Sequence, residues 1–111
     1  MITVEGLSSL GADTKEGLAR CLNKEDFYLR MVNMGLKDAR FETLGEKLAQ
    51  KDWDGAFEQA HALKGVLGNL ALTPLFAPVS EITENLRAKT QTDYTELYNT
   101  MMEKRKEILA L

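Results

Sequence analysis

An all-α domain is the fold class this sequence predicts: an antiparallel four-helix bundle with one or two short additional helices at the amino-terminal end. Three observations carry that expectation. Apolar residues recur at three- and four-residue spacing in successive segments, as in Leu75, Val79, Ile82 and Leu86. Only two prolines occur in 111 residues, and one of them, Pro74, stands where a helix would begin. No alternating stretches joined by a strong hairpin turn are present, and neither is a repeat or a low-complexity tract.

Each element has its own signal. Residues 1–12 contain two glycines and paired serines with weak periodicity, which reads as a packed or irregular lead-in to a single domain spanning 1–111. Asp13 or Thr14 can cap a short helix reaching about Leu22, with Leu18 and Leu22 on one face. Asn23 can cap the next helix, with Asp26 near its first free amides and Phe27, Met31 and Met34 at helical spacing, Tyr28 and Val32 beside them. Gly35 weakens its end. Asp38 opens a helix bearing Phe41, Leu44 and Leu48. Asp52 caps the longest segment, from Trp53 to about Leu72, in which Trp53, Phe57 and the earlier Phe41 read as packing groups. Thr73-Pro74 forms a strong new start, and Asp93 opens a final helix with Leu97, Met101, Ile108 and Leu111.

Bulk properties exclude several classes. The chain is 44% hydrophobic and 28% charged, ordinary for a globular domain and unlike a disordered one. A formal charge of −3 offers no broad cationic surface for nucleic acid; Lys104-Arg105-Lys106, between Glu103 and Glu107, reads as a solvated helix face. Cys21 is alone, so it reads as a buried small hydrophobe. No segment approaches the ~20 apolar residues of a membrane span and no secretory signal is evident, so a cytoplasmic location is expected.

The chemistry gathers around the one histidine, His61. On a helical wheel Trp53, Ala56, Phe57, Ala60, Leu63, Leu67 and Leu70 share a sector, and His61 projects roughly 130° away from its centre. Gly68 falls near His61, Gly65 within about 40° and Lys64 about 60° to the other side. Two glycines inside a helix cost about 1 kcal/mol each relative to alanine. Bare backbone beside the imidazole would let another protein approach it; close packing of a neighbouring helix would use the same glycines. An unprotonated imidazole nitrogen can attack phosphorus near neutral pH, and a lysine one turn on can complement the added oxygens. Metal binding would have to recruit His61, Glu58 and a carboxylate from another helix, and no ligand spacing supports it. The glycines lack the strand–turn–helix context of a dinucleotide loop.

Ala60-His61-Ala62-Leu63-Lys64-Gly65-Val66-Leu67-Gly68-Asn69-Leu70 resembles the central motif of histidine-containing phosphotransfer domains. Asp13 through Arg20 with Phe27-Tyr28 resembles their amino-terminal segment, and Leu75 through Leu86 resembles the helix paired with the histidine helix. Asn23-Lys24 stands where many relatives have glycine-containing sequence, and Ala71-Leu72 replaces a more usual Gly-Ala-like continuation. The resemblance implies that His61 is the phosphoacceptor, that Lys64 supports the phosphate, and that Gly65, Gly68 and Asn69 lie on the docking surface. It further implies a phosphocarrier without an ATP site or intrinsic cofactor. Its partners would be response-regulator receiver domains, which supply an aspartate and a divalent ion such as Mg2+, and a hybrid sensor histidine kinase in a multistep phosphorelay. The alternative is a non-phosphorylated helical adaptor for receiver or kinase domains. An arginine at Gly68 is expected to obstruct docking without harming the helix.

Overall fold

Caps and apolar stripes resolve into seven helices in the computed structural model, which describes residues 1–111. They are α1 (Val4–Ser9), α2 (Thr14–Arg20), α3 (Glu25–Leu36), α4 (Arg40–Ala49), α5 (Trp53–Asn69), α6 (Thr73–Arg87) and α7 (Thr95–Leu109). The bundle is α4 to α7, each helix packing on the next in chain order. Two short helices precede it, as expected, and α3 is a fifth longer element laid against the bundle. Its Tyr28 hydroxyl donates to the Leu70 carbonyl at 2.9 Å, and Arg105 Nε of α7 donates to its Leu36 carbonyl at 2.7 Å.

Side-chain caps start some helices, while burial starts others. Asp13 Oδ1 accepts from the Glu16 amide at 3.2 Å, and Asp52 Oδ1 accepts from the Gly55 amide at 3.1 Å. The Gly55 amide, followed by Lys47, holds the Asp52 carboxyl below its ordinary range. Three expected starts differ. Residues 1–12 follow the packed rather than the irregular alternative, with a helix in addition: Thr3 Oγ1 accepts from the Gly6 amide, α1 forms, and Leu7 is fully buried. Asn23 does not cap α3. It ends α2, with a left-handed φ of 56° and its amide donating to the Leu18 carbonyl. Thr73 does not cap α6 either; it lies within the first turn, and the buried Leu72 takes the cap position without a side-chain bond. Asp38 and Asp93 sit one residue before the cap positions and accept from the Arg40 and Thr95 amides, each at 2.9 Å.

The helix ends share one device. After α4, α5 and α6 the chain passes through Lys51, Ala71 and Lys89 at φ of 57°, 55° and 56°. In each case the next amide reaches back five residues: Asp52 to Lys47, Leu72 to Leu67, Thr90 to Asn85. Glycine is the common occupant of such positions, and here only α1 ends on one, Gly11 at φ 100°. The turns at 50–52 and 70–72 are short because the residue closing one helix caps the next.

The core contains Tyr28, Phe41, Leu44, Leu63, Leu67, Leu75, Ile82, Met101 and Ile108, all essentially inaccessible to solvent. Cys21 is buried with them. Helix α3 is rotated from the expected face: Tyr28, Val32, Gly35 and Leu36 point inward, while Phe27 and Met34 are exposed. Gly17 explains the rotation, since a Cβ there would lie 2.5–2.6 Å from the Tyr28 ring, so the large ring occupies the space beside α2. Leu22 is exposed because it lies in the left-handed turn rather than on α2. Trp53 is also partly exposed, tilted against Tyr94, and is less a core residue than expected. Arg105 is not part of a solvated face: its guanidinium lies 4.7 Å from the Phe41 ring centroid and pairs with Glu42.

Burial, with smaller contributions from the nearby Cys21 and Asp13, pushes the Tyr28 hydroxyl from the ordinary 10.0 up to about 12. A pKa raised on folding favours the native state below the unfolded value, and that contribution drains away as pH climbs from about 10 to about 12. Denaturation measured across this window will show falling stability, and Tyr28→Phe will flatten the fall. Gly17→Ala, despite better helix propensity, will lower stability by about 1–3 kcal/mol because the Tyr28 ring must move; urea titration checks it.

Candidate functional site

Helix α5 buries Ala56, Ala60, Leu63 and Leu67 between α4 and α6. Its other side carries His61, which is exposed. Phe57, one turn earlier, lies parallel to the imidazole at 12° with ring centroids 5.5 Å apart. The guanidinium of Arg87, from α6, stands 5.0 Å from the Phe57 centroid. Phe57 is half-buried and packs against the core as expected, and its exposed face supports the histidine ring.

One surface depression gathers His61, Lys64, Gly65, Gly68 and Asn69, the five residues singled out in the sequence. Lys64 Nζ lies 3.2 Å from Glu84 Oε2, so α6 supplies its counter-ion. That bond is the main reason the Glu84 carboxyl is held below its ordinary range; the charges of Lys64 and Arg87 add to it. The glycines differ. A Cβ at Gly65 would meet nothing within 4 Å, whereas one at Gly68 would come within 3.2 Å of Phe76 Cε2. Gly65 is bare surface; Gly68 also serves helix packing against α6.

Sequence reasoning missed Arg20. Its Nη1 donates to the Gly68 carbonyl at 3.2 Å and to Asn69 Oδ1 at 3.3 Å, while Nε bonds Glu16 at 2.9 Å. Arg20 therefore ties α2 to the carboxyl end of α5, adds a second cation to the depression, and commits Asn69 Oδ1 to an internal bond. Glu16 and Arg20 are four residues apart, a spacing that by itself points only to a helical ion pair. No sequence signal linked Arg20 to a carbonyl 48 residues away. Glu84 was likewise not legible as the partner of Lys64.

The arrangement offers an exposed imidazole braced on one face, a nearby ammonium to complement an anion, and open backbone at Gly65 for a partner to approach. No three His, Cys, Asp or Glu side chains converge as a cation-holding set. No helix is long and apolar enough to cross a membrane. The unequal surroundings of the glycines have a measurable consequence. Gly65→Ala will raise stability by about 0.5–1 kcal/mol, the helix-propensity gain, while Gly68→Ala will gain less because Phe76 must give way; paired thermal or urea unfolding compares them.

No curated protein and no solved structure matches the chain significantly. Residues 38–109 match the family described as the Hpt domain, a segment that takes in α4 to α7 and with them His61 and Lys64. Members of that family are phosphocarriers rather than kinases, acting by histidine phosphotransfer in two-component signalling with response-regulator receivers as partners. The match covers well over half of the chain, its core is all-helical as the family requires, and the chain belongs to the Hpt domain family.

Proposed function

We propose that the whole unit 1–111 is a phosphocarrier in which His61 Nε2 reversibly takes the phosphoryl group of a receiver aspartyl-phosphate within a multistep phosphorelay. The observation that carries the reading is the position of the only histidine: exposed, braced by Phe57, one turn from Lys64 and beside the open Gly65.

The step balances simply. The Nε2 lone pair forms the nitrogen–phosphorus bond as the bond from phosphorus to the aspartyl oxygen breaks. The electrons of that broken bond remain on the receiver as a restored carboxylate. The imidazole enters with its hydrogen on Nδ1, so no proton has to be removed before attack. The receiver contributes its acidic pocket and divalent ion, while Lys64 supplies a charge-assisted hydrogen bond to the arriving oxygens. Gly65, Gly68 and Asn69 form the surface that the receiver approaches. A hybrid sensor histidine kinase is the expected upstream donor.

Incubation with phosphorylated receivers will place a base-stable, acid-labile group on His61, located by mass spectrometry. His61→Gln will keep the fold and the affinity for receivers but lose the modification. A modification that survives the substitution refutes the assignment. A wild-type chain that binds receivers without ever becoming phosphorylated would instead be an adaptor. Gly65→Arg, whose side chain enters open space, will reduce receiver affinity at least about tenfold while leaving thermal stability intact.

A further inference from the structure

Lys64, expected to meet the phosphoryl oxygens, is not waiting for them unpartnered. Its Nζ lies 3.2 Å from Glu84 Oε2, and the other oxygen of the same carboxylate, Oε1, lies 3.4 Å from Arg87 Nε. Arg87 in turn covers Phe57, on which His61 stacks. Lys64 and Arg87 therefore converge on one glutamate of α6.

We propose that Glu84 is a positioning residue that holds Lys64 in the unmodified protein and yields it to the phosphoryl group, keeping the carrier reversible. This rests on the reading of His61 as phosphoacceptor. A phosphoryl group brings close to two negative charges at neutral pH, enough to compete with a single carboxylate for one ammonium. Glu84 can yield because its side chain is 53% exposed, so water solvates the released oxygen, and because Arg87 still pairs with the other one. The release is not free: separating Lys64 from Glu84, and leaving that carboxylate near the new anion, both oppose phosphorylation. The carrier then holds its cargo less tightly than its cations alone would permit. For an intermediate that must pass the group on, weaker retention favours the onward step.

The test is the equilibrium of phosphoryl exchange with one phosphorylated receiver domain, measured for wild type, Glu84→Gln, Lys64→Met and the double variant. Glu84→Gln will shift the equilibrium toward phospho-His61 by about two- to fivefold at low salt, in the range expected for an exposed ion pair. The shift will shrink at high ionic strength and will be clearly smaller in the Lys64→Met background, where only repulsion between the carboxylate and the phosphoryl group remains. An unchanged equilibrium for Glu84→Gln, or the same shift with Lys64 replaced, overturns the proposal while leaving His61 as phosphoacceptor. A wild-type chain that takes no phosphoryl group overturns both. Unfolding curves for the four proteins separate a local charge effect from a change in fold.

Discussion

Burial of one side of α5 is the constraint on which the molecule depends. Ala56, Ala60, Leu63 and Leu67 are fully enclosed by α4 and α6. A helix of 17 residues buried along that stripe has no freedom to turn its other side inward. His61 is exposed because Ala60 and Leu63 are not. The small Ala56 and Ala60 also let neighbouring helices approach closely, and this proximity brings Glu84 and Arg87 of α6 to the histidine face. Packing at the back of the helix thus determines electrostatics at its front.

That coupling distinguishes three kinds of residue around the imidazole. Phe57 and Phe76 give shape: one supports the ring, the other fills the space beside Gly68. Lys64, Glu84 and Arg87 form a charge relay across two helices. Arg20 joins the periphery through hydrogen bonds to backbone and amide oxygens and is held in place by Glu16. The pairs in this set are surface pairs, individually weak. Their importance lies in where they place charge relative to His61 rather than in stabilising the bundle.

Much of this was legible in the sequence, for reasons that can be traced. The α5 and α6 stripes are long and regular, so the burial of Leu63, Leu67, Val79 and Ile82 followed from periodicity. Asp13 and Asp52 were readable as caps because each is followed at three residues by an amide within reach. Short elements were harder. One step of rotation in α3 exchanged Phe27 for Tyr28, and what selects Tyr28 is the absence of a side chain at Gly17, on another helix. Left-handed turns at Ala71 and Lys51 contain no glycine to announce them. The departures from the family pattern at Asn23 and Ala71 fall at just such turns, where both residues adopt the left-handed conformation that glycine favours. In the site, the histidine motif was readable because its members lie on one helix. Partners from other helices, Arg20 and Glu84, are products of packing and leave no local pattern.

The turn between α5 and α6 is also where the amino-terminal helices attach. The Ala71 carbonyl accepts from the Asp13 amide at 3.0 Å, and Arg20 reaches the Gly68 carbonyl just before it. Both oxygens lie in the turn that closes α5. The amino-terminal helices are thus joined to this turn across a long stretch of chain, a closure that carries an entropic cost. In the language of hydrogen exchange, undocking of the amino-terminal helices would free the Asp13 amide to exchange without opening the α5–α6 hairpin. The rim of the depression beside His61 is then the seam between these two parts: undocking of the amino-terminal segment would loosen the approach to the histidine while leaving the helix contacts beneath it in place.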